Sequence, residues 1–343
     1  MFHWSCCHVD WGSERGGIYV CRGFIPYKMV EPVLKWAGGK RQILHEIRGS
    51  FPPEADCKAY HEPFFGGGAL FFKTGPYKDG TINDINERLM NFYRVVRDDK
   101  ELLINTLESF EAPENTPDPT KEFSDINRKG KDIDEYYYQQ RELFNRRPNS
   151  EEFDEIEEAA LLLYLNRTCY NGLYRENSSG EFNVPIGSNT NPDWVQSSRI
   201  HSVSQSLQKI DIFSRDFGYV KEFVEKGDLV YFDPPYRPVS RTSSFVEYSS
   251  ESFGSEEQKR LRDLVIELNE KEVHVVMSNS PPIRELYQRY DDFCIHDIGA
   301  KRTINSNADD RGKVGEIIVT NVNLNNRRER TAYLDQFVQE PST

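Results

Sequence analysis

The sequence predicts an open α/β sheet interrupted by a helical insertion, and three observations carry that expectation. Seven short apolar runs with strand character lie between residues 59 and 321, and outside one interval they alternate with segments of helical periodicity. Three consecutive glycines follow the first run after three intervening residues and open a helix-like segment. Between Asp84 and Ile210 the alternation stops and helical periodicity takes over.

In chain order the expected strands are 59–62, 81–84, 210–214, 229–233, 273–278, 293–297 and 317–321. The interrupting interval is expected to hold helices around 86–97, 133–146 and 152–165, with a polar, proline-bearing loop at 112–120. The division that follows is an extension at 1–28, a catalytic domain formed by 29–88 and 209–325, a helical domain at 89–208, and a tail at 326–343. The first 28 residues show Trp, Cys and Gly in no period, so Met29 is the expected natural start and the stretch before it a non-native or disordered extension. The charged tail is expected to fray.

Composition bounds the function. The longest uninterrupted apolar run, 159–165, is far short of the roughly 20 residues a membrane span needs, so a soluble protein is expected. Six cysteines without a CxxC pair fit a reducing cytoplasm better than a disulfide framework. His3, Cys6, Cys7 and His8 cluster, but adjacent cysteines are poor zinc-ligand spacing, and no metal is expected. A net charge of −13 argues at first sight against a nucleic-acid partner. Acidic residues concentrate at 151–158, however, while Arg146, Arg147, Arg167, Arg175, Arg302, Arg311, Lys313 and Arg327 lie elsewhere, which leaves room for a basic cleft on an acidic body. The acidic balance fits a high-salt cytoplasm and an ordinary acidic protein equally well.

The residues around the first two strands suggest a nucleoside site. In His61-Glu62-Pro63-Phe64-Phe65-Gly66-Gly67-Gly68, the glycines let backbone approach a ligand closely and adopt positive φ. Alone this turn serves a ligand or a tight corner equally well. About twenty residues on, Asp84 closes the second strand, where a carboxylate can accept from both ribose hydroxyls. No phosphate-binding loop follows the first strand, which favours a nucleoside without a polyphosphate. Upstream, Trp36 is placed to pack on such a ligand and Lys40 to bind a carboxylate such as that of a methionine moiety. A buried Trp and a solvated Lys explain the same pair.

The segment Leu229-Val230-Tyr231-Phe232-Asp233-Pro234-Pro235-Tyr236 is an apolar strand ended by an acid, two prolines and an aromatic. The prolines stop the strand so that Asp233 and the Pro234 carbonyl both point from its carboxyl end, where open α/β sheets bind ligands. An exocyclic amine on a planar base is a poor nucleophile because its lone pair is delocalised into the ring. Two acceptors, Asp233 and the Pro234 carbonyl, can take its two hydrogens and favour a pyramidal nitrogen able to attack a sulfonium methyl. Tyr236 offers a stacking face once the base leaves the duplex. The catalytic set is therefore Asp233, Pro234, Pro235 and Tyr236, working by position and electrostatics.

These blocks together resemble the Dam-type, D12-class DNA adenine-N6 methyltransferases. The resemblance runs from about residue 34 to 321 and comprises Leu-Lys-Trp-Ala-Gly-Gly-Lys at 34–40, Glu-Pro-Phe-Phe-Gly-Gly-Gly at 62–68, Asn-Asp-Ile-Asn at 83–86, Asn-Arg-Thr-Cys-Tyr-Asn-Gly-Leu-Tyr-Arg at 166–175, Phe-Asn-Val-Pro-Ile-Gly at 182–187 and Phe-Asp-Pro-Pro-Tyr at 232–236. The order of blocks is similar to the family's α arrangement. It implies a Rossmann-like sheet that binds S-adenosylmethionine, with an inserted DNA-recognition domain. By this similarity Trp36, Lys40, Phe64, Asp84 and Asp233 contact the cofactor, Glu62, Gly66, Gly67 and Gly68 surround its methionine part, and Asp216 and Phe217 lie near its adenine. The segment 170–175 resembles the family's DNA-reading hairpin. Tyr170 would insert into the base stack, Asn171 and Leu173 would contact neighbouring bases, and Arg175 would read guanine. Pro185 belongs to the same set. Close relatives with this block recognise GATC, the expected site here. Ser240 to Tyr248 resembles a loop that closes over the flipped base, with Phe245 and Tyr248 helping to hold it. Arg302, Arg311 and Lys313 resemble a basic loop touching phosphate.

Double-stranded DNA is thus the expected partner, a cognate restriction endonuclease a compatible one, and a monomer the favoured state. Three alternatives stay open. Protein-glutamine methylation uses a similar turn, and the 166–187 segment argues against it. Cytosine-N4 methylation usually carries Ser where Asp233 stands. A DNA-binding relative without catalysis is disfavoured by the intact Asp-Pro-Pro-Tyr.

Overall fold

The computed structural model describes residues 30–38, 40, 43–53, 57–75, 77, 79–111, 135–146, 154–189, 191–236, 253–298 and 315–322. The expected extension at 1–28, the loops at 112–120 and 240–248 and the tail at 326–343 lie outside them.

All seven expected strands form, each within about a residue of its expected ends: β1 (Tyr60–Glu62), β2 (Gly80–Asn83), β3 (Asp211–Phe213), β4 (Leu229–Phe232), β5 (His274–Asn279), β6 (Cys294–Ile298) and β7 (Glu316–Thr320). Asp84 and Asp233, expected as last strand residues, instead sit just past β2 and β4. Asp84 turns back to accept backbone N–H groups. Asp233 is followed by two prolines, which bring no N–H to a ladder.

The strands form one sheet in the order β3-β2-β1-β4-β5-β7-β6. β1 to β5 run parallel, and β7 lies antiparallel between β5 and β6. The central strands β1, β2, β4 and β5 are buried almost throughout, as sheets covered on both faces require. The chain winds outward in opposite directions from β1 and β4, which pair through Tyr60 with Leu229 and His61 with Val230. That reversal makes the carboxyl ends of β1 and β4 the switch point at which open α/β sheets bind ligands. This mixed seven-stranded sheet with helices is consistent with the Rossmann-like sheet that the resemblance implied.

Between β2 and β3 the expected helices appear as α3 (Glu87–Asp98), α5 (Glu135–Arg146) and α6 (Glu155–Thr168), joined by α4 (Lys100–Glu108) and α7 (Ser197–Leu207), which had not been anticipated. The shorter α1 (Leu44–Gly49) and α2 (Ala69–Thr74) precede them. Asn86 caps α3 by accepting from the Leu89 N–H. Asp154 caps α6 through Ile156 and Glu157, and three glutamates in the first turn match the positive end of the helix dipole. From Ala159 to Leu165 α6 is buried on every side, so it lies at the centre of the helices. One continuous apolar cluster joins these helices to Tyr60, Ile82, Leu229 and Tyr231 of the sheet. The helical interval is therefore packed onto the sheet through a shared core. Beyond the sheet's other half, α8 (Ser255–Glu270) packs Leu261, Leu264, Val265 and Leu268 against β4 and β5.

Among the described residues no helix is long and apolar enough to cross a membrane. No group of three or more His, Cys, Asp or Glu side chains among them is arranged to hold a metal ion.

Candidate active site

The Gly-rich turn leaves β1 and the Asp-Pro-Pro-Tyr turn leaves β4, so adjacency of these two parallel strands brings together segments some 170 residues apart. The turn after β1 is shaped by Trp36. A Cβ on Gly67 would come within 2.7 Å of Trp36 Cβ, and one on Gly66 within 3.1 Å of the indole. Gly66 and Gly68 take φ of +51° and +65°, which side-chain-bearing residues rarely adopt. The glycines are thus needed to seat an aromatic ring against the backbone.

Asp84 locks this turn to the end of β2. Its Oδ2 accepts from the Gly66 N–H at 2.9 Å and its Oδ1 from the Asn86 N–H at 3.0 Å. Burial pushes its carboxyl above the ordinary range, against the pull of these N–H donors. Each oxygen keeps a lone pair for a further donor. The next residue, Ile85, is 77% exposed at this edge. Across from it, Phe64 stacks on Phe217 with ring centroids 5.5 Å apart. Asp216 caps the short 3₁₀ turn Phe217–Glu222 through the Gly218 N–H and pairs with Arg260.

At the switch point four charged or phenolic groups converge. Lys40 Nζ lies 3.0 Å from Asp233 Oδ1, 3.8 Å from Glu316 Oε2, and 4.1 Å from the centre of the Tyr236 ring. The Tyr236 hydroxyl donates to Glu316 Oε2 at 2.9 Å. Burial raises the Asp233 carboxyl above its ordinary range despite the opposing attraction of Lys40. Glu62, 3% exposed, accepts from the Tyr60 hydroxyl at 2.7 Å. Burial raises it well above the carboxylate range, and the neighbouring charge of Asp233 adds to the rise. Burial likewise drives Tyr236 upward, so its phenol stays protonated. The cluster is acidic and largely buried, with Lys40 beside Asp233.

The second expected surface surrounds the end of α6. Tyr170, Asn171, Leu173 and Arg175 are exposed, whereas Gly172 is buried and Tyr174 turns inward. Asn171 and Gly172 have φ of +55° and +65°, and this left-handed pair sharpens the turn. Bridges between Cys169 and Ile186 and between Glu176 and Phe182 tie the segment to an antiparallel return strand. Arg175 Nε donates to Asn183 Oδ1 at 2.7 Å. Pro185, expected to face DNA, is buried, and its carbonyl accepts from the Tyr170 N–H at 2.9 Å. Its place is to brace the turn that presents Tyr170. Arg302, Arg311 and Lys313 lie outside the described residues.

The structure brings Lys40, Glu62, Asp233 and Tyr236 into one cluster, and Trp36, Gly66, Gly67 and Asp84 into a second beside it. Lys40 stands on Asp233, a position that carboxylate-binding chemistry alone had not suggested. Three residues escaped the sequence reading. Glu316 opens an apolar strand, and a carboxylate at such a position was the available signal. Asn166 clamps the 34–40 segment to α6, accepting from the Lys35 N–H and donating to the Lys35 carbonyl, both at 2.8 Å. Tyr174 stacks on Trp36 at 5.0 Å and so connects the exposed turn to the Gly-rich one.

Comparison with known proteins agrees with this geometry. The family model described as D12 class N6 adenine-specific DNA methyltransferase matches residues 36–304. The Type II methyltransferase M1.LlaDCHI of Lactococcus lactis subsp. cremoris is 42% identical over 296 residues, covering 85% of this chain and 95% of the relative. The Type II methyltransferase M.MjaIII of Methanocaldococcus jannaschii is 38% identical over 299 residues, covering 85% and 99%. The DNA adenine methylase of Escherichia coli (strain K12) is 32% identical over 287 residues, covering 83% and 93%.

Proposed function

Because the chain belongs to the D12 class of N6 adenine-specific DNA methyltransferases, we propose that it methylates an adenine flipped out of duplex DNA within GATC, with Asp233 and the Pro234 carbonyl as the acceptors for the N6 hydrogens. The observation that carries this reading is the position of Asp233, just past β4 at the switch point and 3.0 Å from Lys40.

The residues present fit S-adenosylmethionine, the cofactor of this class. Asp84 keeps lone pairs for ribose hydroxyls, and the exposed face of Ile85 suits one side of an adenine, with Phe217 and Asp216 nearby. Trp36 and the Gly66 to Gly68 turn, with Glu62 and Phe64 behind it, would enclose the methionine part. The carboxylates of Asp233 and Glu316 suit a cationic sulfonium. When bound, the cofactor supplies an electrophilic methyl group.

The chain's own part is to prepare the nucleophile. Lys40 opposes the burial that would protonate Asp233 and so favours the carboxylate that accepts. Asp233 and the Pro234 carbonyl then draw the two N6 hydrogens out of the base plane, localising the lone pair. The Tyr236 ring, pinned by Glu316, provides the stacking face. The left-handed turn at Asn171 and Gly172 presents Tyr170 and Leu173 to the duplex, with Arg175 oriented by Asn183 toward guanine. On this reading residues 89–208 serve as the recognition domain and Arg302, Arg311 and Lys313 contact phosphate. The protein acts as a monomer in the cytoplasm, and a cognate endonuclease is the partner its relatives named Type II methyltransferases suggest.

Incubating unmethylated DNA with protein and S-adenosylmethionine, then mapping modified bases, tests the whole reading. N6-methyladenine confined to GATC is expected, and Asp233→Ala should lose transfer while still binding DNA. Methylated cytosine alone, or an active Asp233→Ala, overturns it.

A further inference from the structure

The Asp-Pro-Pro-Tyr turn poses a fastening problem. Two consecutive prolines remove two backbone N–H groups, so the turn cannot be held through donors of its own there. Side-chain ties from Asp233 to Lys40 and from Tyr236 to Glu316 hold its two ends, but the backbone between them is left to carbonyls accepting from other elements, and the proposed mechanism reserves the Pro234 carbonyl for the substrate amine. The Pro235 carbonyl is a second handle. It accepts from Gln258 Nε2 at 3.1 Å.

Gln258 lies in the first turn of α8 and is 3% exposed. A primary amide can turn over and present its oxygen instead of its nitrogen. Here the orientation is set by a directional chain. The Ser280 backbone N–H donates to Asn279 Oδ1 at 2.8 Å, Asn279 Nδ2 donates to Gln258 Oε1 at 3.2 Å, and Gln258 Nε2 donates to Pro235. A backbone N–H is only a donor, so the first bond fixes the sense of the other two. Asn279 is fully buried at the end of β5, next to β4 in the sheet. The relay thus anchors the turn to the neighbouring strand through α8.

Resting on the reading of Asp233 and Pro234 as acceptors, we infer that Gln258, oriented by Asn279, is a positioning residue for methyl transfer. It holds the Pro235–Tyr236 peptide, and with it the directions of the Pro234 carbonyl and the Tyr236 ring. Tyr236 is pinned from its other end by Glu316. Gln258 touches neither substrate nor cofactor on this assignment. Its loss therefore acts on the rate of the chemical step and leaves cofactor affinity alone.

Single-turnover transfer from radiolabelled S-adenosylmethionine to unmethylated DNA, with cofactor affinity and thermal midpoint measured alongside, tests this in Gln258→Met, Asn279→Asp, the double variant and Asp233→Ala. Gln258→Met fills the same space without a donor. Asn279→Asp keeps the bond from Ser280 but cannot donate to Gln258. It would turn the amide over and set oxygen against the Pro235 carbonyl. Each single variant should lose roughly 10- to 100-fold in transfer rate, the scale of a misplacement of about 1 Å. Cofactor affinity should stay within about threefold and the double variant should be no slower than the worse single one, as for residues acting as a unit. A Gln258→Met enzyme with wild-type rate beside a dead Asp233→Ala overturns the relay and leaves the catalytic reading standing. An active Asp233→Ala overturns both. Equal falls in rate, cofactor affinity and thermal midpoint, or additive losses in the double variant, reduce Gln258 to a structural residue and also overturn the inference.

Discussion

Replacing Lys40 by methionine separates two roles the residue can have. Its ammonium lies 3.0 Å from Asp233 and 3.8 Å from Glu316, while the aliphatic stem is buried. At an effective dielectric of about 20 the attraction to Asp233 alone is roughly 5.5 kcal/mol before any solvation cost. Desolvation of both charges offsets much of that, and removing one partner from a buried pair typically costs about 3–5 kcal/mol. Asp233 is 21% exposed, which argues for the lower end. At about 3 kcal/mol the carboxylate form of Asp233 would become on the order of 100-fold harder to reach. Burial already holds Asp233 above its ordinary range, and Lys40 is the chief opposing influence. In Lys40→Met the acid limb of the single-turnover pH profile should therefore move to higher pH, with rate recovered at alkaline pH. The assay is methyl transfer across a pH series run in parallel for wild type and variant, with the direction in which the acid limb moves as the readout. A variant with the wild-type pH profile and only a weakened affinity for S-adenosylmethionine would refute this. It would place Lys40 on the cofactor's carboxylate, as the sequence alone suggested.

Arg175→Ala should cost about 1–3 kcal/mol of discrimination at the guanine position, the worth of one bidentate base contact, read as relative methylation rates on GATC and its single-base variants. Unchanged ratios would remove Arg175 from the reading surface. Glu62→Gln should stabilise the fold at about pH 8 by roughly 0.5–2 kcal/mol, the usual gain when functional strain is relieved. The sign follows from its raised carboxyl: such a group favours folding below its unfolded pKa, and that contribution is lost as pH rises through the folded one. Glutamine still accepts from the Tyr60 hydroxyl, so the gain should shrink as pH falls, and a pH-independent change in thermal midpoint would contradict it.

The strands were legible because a buried parallel strand is a short run of apolar residues between turn signals, and Leu229 to Phe232 or Ile317 to Thr320 read as such without reference to anything else. The helices α3, α5 and α6 were legible for the same local reason. By contrast α8 went unnamed although Leu261, Leu264, Val265 and Leu268 repeat at helical spacing, because charged residues fill its other positions. The Asp-Pro-Pro-Tyr turn and the Gly-rich turn announced a site since their chemistry is unusual residue by residue.

The local sequence by itself determined the sheet's strands, the nature of the two turns and, through the resemblance they carry, the reaction class. Tertiary structure alone decided that Asp233 and Glu316, 83 positions apart in the chain, share Lys40 between them. It also decided that Trp36 stacks on Tyr174 and that Gln258 reaches the Pro235 carbonyl. Secondary structure follows from periodicities a few residues long, which any window of sequence displays. Contacts between side chains from β4, α8 and β7 depend on strand order and helix packing, and those are set only when the whole core closes.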